Sequence, residues 1–200
     1  MIAIVDYGMG NLMSVQKALE KLGAKTILTN NPETISKSKK LILPGVGAFG
    51  DAVKGLKAHN LENSIRDFIK SNKPFLGICL GLHILFEESE ESPDVKGLGI
   101  LKGKVAKFKT NLKVPHMGWN SIKIMKDSPI LKNIDDGSYV YFVHSYYVEP
   151  RDKKTILTLT NYDTDFASMI WKDNIFACQF HPEKSQNIGL KILENFIKIS

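Results

Sequence analysis

Cys79 sits in Gly77-Ile78-Cys79-Leu80-Gly81, with apolar Phe75 and Leu76 before it and a helical pattern opening at Leu80 after it. A strand that enters a Gly-x-Cys-x-Gly turn and leaves as a helix holds its central side chain exposed at the tip, because side chains at the two glycines would collide with neighbouring backbone. Such a thiol can act as a nucleophile. The positive end of the following helix favours its thiolate, which is the reactive form.

A nucleophile needs a base, and the far end of the chain supplies one in Gln179-Phe180-His181-Pro182-Glu183. A strand over residues 175–181 puts Ala177, Gln179 and His181 on one face and Cys178 and Phe180 on the other. Pro182 takes the chain out of the sheet, so His181 and Glu183 point the same way. An imidazole to deprotonate the thiol and a carboxylate to orient the imidazole are what this spacing offers. Cys178, facing away, reads as structural.

A third element is Pro44-Gly45-Val46-Gly47, directly after the apolar Leu41–Leu43 run. Glycine-rich loops at the carboxyl ends of parallel strands are where open α/β sheets bind ligands, and their N–H groups can face an anion. One N–H of this loop, with that of Leu80, would make an oxyanion hole. Each such donor is worth about 3 kcal/mol of barrier.

Short strands over residues 2–5, 26–28, 41–43 and 75–78 alternate with helical stripes such as Leu12, Val15, Leu19 and Leu22. Strand-helix-strand units imply right-handed crossovers and parallel pairing. From residue 98 the texture turns β-rich, with strands expected over 100–108, 121–124, 139–144, 155–160, 166–171 and 175–180. A closing helix carries Ile188, Ile192, Leu193 and Phe196. The expected fold is α/β: a single open, mostly parallel central sheet with helices on both faces and some antiparallel strands in the C-terminal half. Residues 87–94, Glu-Glu-Ser-Glu-Glu-Ser-Pro-Asp, read as an acidic loop.

With 200 residues and 43% hydrophobic content, the chain suits one domain over 1–200. The net charge of +6 comes from scattered lysines without interleaved aromatic residues, which reads as a solvated surface rather than a nucleic-acid face. No signal peptide or membrane span is visible, and two cysteines in unlike contexts make no disulfide framework. The cytoplasm is the expected location. His83, His116 and His144 do not form a metal set with the cysteines, and neither metal nor cofactor is expected.

The three chemical elements, in this order, resemble the class I (triad-type) glutamine amidotransferases. Residues 6–12, 43–49, 115–120, 141–147 and 179–185 are similar to the glutaminase subunits of imidazole glycerol phosphate synthases. That resemblance implies a Cys79-His181-Glu183 triad that hydrolyses glutamine through a glutamyl thioester. It implies an oxyanion hole of Val46, Gly47 and Leu80, whose Val46-Gly47 peptide turns inward only when the partner holds its substrate. It also implies a pocket lined by Gly47, His144, Ser145 and Tyr146. Asn11, Trp119, Tyr141 and Lys184 are placed toward a separate (β/α)8-barrel cyclase subunit that receives the ammonia in histidine biosynthesis.

One position departs from the family pattern: His83 stands where a substrate-binding Gln is usual, and is placed in the pocket on that ground. A paralogous glutaminase supplying a different synthase outside histidine biosynthesis is the alternative reading, and His83 is the residue that motivates it.

Overall fold

The computed structural model describes residues 1–199. The first half runs β1 (Ile2–Val5), α1 (Leu12–Lys21), β2 (Thr26–Thr29), α2 (Pro32–Lys37), β3 (Lys40–Gly45), α3 (Phe49–Ala58), α4 (Leu61–Lys70), β4 (Phe75–Cys79) and α5 (Leu80–His83). The second half adds β5 (Glu88–Ser89), β6 (Gly103–Lys107), β7 (His116–Ser121), β8 (Lys123–Ile124), β9 (Tyr139–His144), β10 (Tyr146–Pro150), β11 (Ile156–Tyr162), β12 (Thr164–Lys172), β13 (Ile175–Cys178) and α6 (Gln186–Lys198).

Eleven strands form one sheet, whose main path is β2-β1-β3-β4-β13-β12-β10-β6-β5, with β11 and β8 branching from β12. The pairs from β2 through β13 are parallel, and those from β13 to β6 are antiparallel. The expected division of the chain is therefore present, and it has a local cause. In the first half, helices return the chain to the starting edge. In the second, turns at residues with positive φ, Asp163 and Asp173, reverse it.

Alternation along the strands sorts the core into two layers. Ala3, Val5, Leu41, Leu43 and Phe75 pack with α2, α3 and α4 on one side of the sheet. Ile2, Ile4, Ile42, Leu76 and Ile78 pack with α1 and α6 on the other. Such strands read as unbroken apolar runs because both faces are covered.

Three local expectations need correction. The strand expected over 175–181 pairs with β4 only as far as Cys178 opposite Ile78; Pro182 and the turn it opens draw the last residues away. The strand expected over 121–124 is instead the end of β7 and the separate β8. The elements α2, α3, β5 and β10 have no counterpart in the sequence pattern, β5 falling inside the expected acidic loop; α3 carries Gly50 and Gly55, which weaken a helical signature.

β7 and β9 form a small sheet of their own. Its register pairs Met117 with Val143, Trp119 with Tyr141 and Ser121 with Tyr139, which places these residues on one face. The other face carries His116 and His144 and buried Val140 and Phe142. The outer face is apolar and open: Met117 is 62% exposed, Trp119 45% and Tyr139 59%.

Candidate active site

The carboxyl ends of the neighbouring strands β3, β4 and β13 converge. Gly45 is registered with Cys79, and His181 follows β13 by three residues. Cys79 adopts φ 54°, ψ −107°, a strained conformation for a residue with a side chain. The flanking glycines explain how the turn closes. A Cβ on Gly77 would lie 2.8 Å from the Gly81 carbonyl oxygen, and one on Gly81 would lie 1.8 Å from that of Leu43.

The helix after the turn is shorter than the pattern suggests. α5 spans Leu80–His83, a single turn with a weak dipole. Two side chains from outside this turn flank Cys79 as well.

The first is His181. Its Nδ1–H donates to Glu183 Oε1 at 2.8 Å, since a carboxylate only accepts, and this leaves Nε2 as the nitrogen that exchanges a proton on the Cys79 side. Nε2 is buried without a hydrogen-bond partner of ordinary geometry; it lines the same pocket as the Cys79 sulfur, the group that acts on it. Burial alone would depress the imidazole pKa. Hydrogen bonding and charge from Cys79 and Glu183 outweigh burial and raise it from 6.5 to about 10. The Glu183 side chain is 2% exposed and its Oε2 has no partner, so the imidazolium is the main compensation for its charge.

The second is Gln179, fully buried. Its Nε2 lies 3.8 Å from Cys79 Sγ as a donor, and its Oε1 lies 2.7 Å from His83 Nε2. Period-two spacing had put Gln179 on the face of His181, which was the available signal for it.

A pocket of about 300 Å³ opens on Cys79, with Val46, Gly47, Leu80, His83 and His181 around the thiol. His144, Ser145 and Tyr146 line it too, together with Glu91, Pro115 and Val143. The structure thus gathers the sequence-derived pocket residues into one cavity. A larger hollow, about 540 Å³ between Ile124 and Ile134, contains neither a thiol nor an imidazole.

Glu91 was hidden in the acidic stretch. Its Oε2 accepts from the Phe49 N–H at 2.8 Å, while Ser92 Oγ accepts from Gly50 at 3.1 Å, so this segment caps α3 and brings a carboxylate to the pocket. Nothing in a run of acidic residues distinguishes the one that turns inward.

His144 lines the cavity, but both its ring nitrogens are committed. Nδ1–H donates to the Tyr146 carbonyl at 2.8 Å, so Nε2 accepts from His116 Nδ1–H at 2.9 Å. His116 Nε2 in turn accepts from the Asn120 amide at 3.2 Å. Burial holds His116 down to about 4 and His144 well below 6.5, in keeping with neutral rings. His144 shapes the wall through its main-chain partner.

The remaining sequence-derived residues lie outside the pocket. Asn11 precedes α1 and is exposed, as is Lys184. Trp119 and Tyr141 meet edge to face with centroids 6.1 Å apart. The turn at Pro182–Lys184 touches both α1 and β9, which brings Lys184 close to the outer sheet.

A buried thiol, an imidazole and a carboxylate in series beside a cavity of amino-acid size can carry out acyl transfer. Residues 3–199 match the family described as glutamine amidotransferase class-I, and the chain belongs to it. Two relatives are more specific: imidazole glycerol phosphate synthase subunit HisH of Methanocaldococcus jannaschii is 56% identical over 199 residues, covering 100% of both chains. The protein of the same name in Aquifex aeolicus is 53% identical over 194 residues, covering 96% of this chain and 94% of its own. A solved structure described as glutamine amidotransferase superposes with a TM-score of 0.77 at 19% identity, covering 98% of this chain and 99% of that one, and supports the fold.

Proposed function

We propose that this chain is the glutaminase subunit of an imidazole glycerol phosphate synthase and that Cys79, His181 and Glu183 are its catalytic triad. The observation carrying the chemistry is the Glu183-His181-Cys79 series ending in a pocket of about 300 Å³. With the thiol proton held on His181 as imidazolium, Cys79 attacks the side-chain carboxamide of glutamine as the thiolate. The oxyanion is received by the Leu80 N–H and the Val46-Gly47 loop, where Gly47 has φ +104°. His181 then returns the proton to the departing ammonia, and water hydrolyses the thioester to glutamate.

Substrate recognition follows from the walls. Glu91 Oε2 is held by α3, leaving Oε1 to receive the α-ammonium of glutamine. Ser145 and Tyr146 supply hydroxyls, and the His83 ring nitrogen not used by Gln179 is the acceptor at the position where the family usually has Gln.

The ammonia leaves toward a (β/α)8-barrel cyclase subunit. Val143 lines the pocket and shares the outer face of the small sheet with Tyr141, Trp119 and Met117, so one surface leads from the cavity to exposed apolar side chains. That patch suits a protein interface, with Asn11 and Lys184 at its margin. Partner binding is then positioned to reorient the Val46-Gly47 peptide and switch hydrolysis on. No helix among the described residues is long and apolar enough to cross a membrane, and we place the enzyme, read as one domain, in the cytoplasm.

The test supplies the chain with a histidine-pathway barrel subunit and its ribonucleotide. Glutamine should support imidazole glycerol phosphate formation, and Cys79→Ala should abolish this while ammonium salts still do. Absence of glutamine turnover with that partner would end the assignment and favour another acceptor.

A further inference from the structure

Cys79 has a neighbour that the triad does not use. Gln179 is fully buried, its main-chain N–H is anchored to the Ser168 carbonyl at 2.9 Å, and its side-chain amide lies between His83 and the nucleophile. An amide can be turned either way about its last bond. With the oxygen toward Cys79 it would repel a thiolate; with the NH2 group there it donates to one. The environment must choose.

Accepting the reading of Cys79 as nucleophile, we propose that His83 and Gln179 are positioning residues in series: His83 Nε2–H holds the Gln179 carbonyl, so that the Gln179 NH2 group points at Sγ and stabilises the thiolate. The direction of each bond follows from donor chemistry. Gln179 Oε1 can only accept, so the 2.7 Å contact requires the hydrogen on His83 Nε2. The amide nitrogen can only donate, so the 3.8 Å contact to sulfur runs from Gln179. His83 is 5% exposed, and desolvation lowers its pKa to about 4, so at neutral pH it supplies this hydrogen as a neutral ring.

The departure at position 83 acquires a physical meaning. A glutamine there could present an N–H to Gln179 just as the imidazole does, so His83 preserves a donor rather than signalling a new acceptor for the ammonia. A residue without a donor would free the Gln179 amide to turn.

The thiolate itself gives the readout. In the full chain, the rate of Cys79 alkylation by iodoacetamide is followed against pH, with Cys79→Ala reporting reaction at Cys178. Gln179→Met and His83→Leu should each move the profile up by about one unit, the tenfold that a modest hydrogen bond to a charged group supplies. His83→Gln should restore the profile to within about twofold of the parent rate at each pH. The double variant Gln179→Met with His83→Leu should shift no further than Gln179→Met alone, because the two act in series. An unmoved profile in Gln179→Met, or shifts that add in the double variant, overturns the proposal. If Gln179→Met fails to unfold cooperatively, the contrast between His83→Leu and His83→Gln decides, and equal profiles for those two overturn it. Retention of glutamine hydrolysis by Cys79→Ala would instead remove the nucleophile assignment, a result the alkylation profiles cannot mimic.

Discussion

The main-chain N–H of His181 donates to the Tyr141 carbonyl at 3.0 Å, which ties the imidazole-bearing residue to the small sheet rather than to its own strand. Ser185 closes the ring: its Oγ accepts from Tyr141 N–H at 2.9 Å and its hydroxyl donates to the His181 carbonyl at 2.7 Å. Ser185→Ala leaves the Tyr141 N–H without its partner and lets the imidazole drift. We expect kcat to fall about tenfold with a small change in KM, the cost of one broken buried hydrogen bond, measured by steady-state glutamine hydrolysis in the presence of the cyclase subunit.

Glu183→Gln keeps the shape and removes the charge. The ring loses its fixed tautomer, and kcat should drop by about 10²- to 10⁴-fold. The pH profile separates this from misfolding. His181 is raised to about 10, so the imidazolium that protonates ammonia persists through neutrality and is lost as pH climbs through that value. Turnover by the parent enzyme should hold until pH nears 10, and the alkaline limb of Glu183→Gln should move to lower pH, though not all the way to 6.5, because Cys79 also raises the ring.

Glu91→Gln keeps an oxygen for the Phe49 N–H and removes the charge offered to the substrate ammonium. KM for glutamine should rise about tenfold, within the range of a lost charge-assisted hydrogen bond, with much less effect on kcat. A large fall in kcat at unchanged KM would place Glu91 outside substrate binding.

Acid should unfold this protein earlier than its carboxylates alone would require. His83, His116 and His144 are depressed by burial, the first two to about 4, while the unfolded chain takes up protons near 6.5. Their stabilisation is complete above 6.5 and is lost as pH falls toward 4, at about 1.4 kcal/mol per pH unit for each ring. His181, raised instead, stabilises fully below 6.5 and ceases to do so as pH approaches 10. Urea midpoints measured between pH 6.5 and 5 isolate the histidines, and His116→Asn should flatten the slope by about a third.

Much of this site was legible in one dimension because strand periodicity carries side-chain direction with it. The alternation through Ala177, Cys178 and Phe180 sorted these residues onto opposite sides of the sheet, as found. The glycines at 77 and 81 announced a turn that no Cβ could enter. What stayed hidden was set by tertiary partners. Glu91 is distinguished from its acidic neighbours only by the N-terminus of α3, and the use of both nitrogens of His144 depends on His116, a residue 28 positions away. The length of α5 also escaped, because Leu80-Gly81-Leu82-His83-Ile84-Leu85 carries a helical pattern past the point where the helix ends.

Met117, Trp119 and Tyr139 leave one side of a six-pair antiparallel ribbon uncovered. Under the proposed pairing with a cyclase, chains made in excess would keep this adhesive face bare, and balanced synthesis would guard against clumping as well as waste. Purified alone, the chain should bind hydrophobic resin and lose that retention on mixing with the proposed barrel partner.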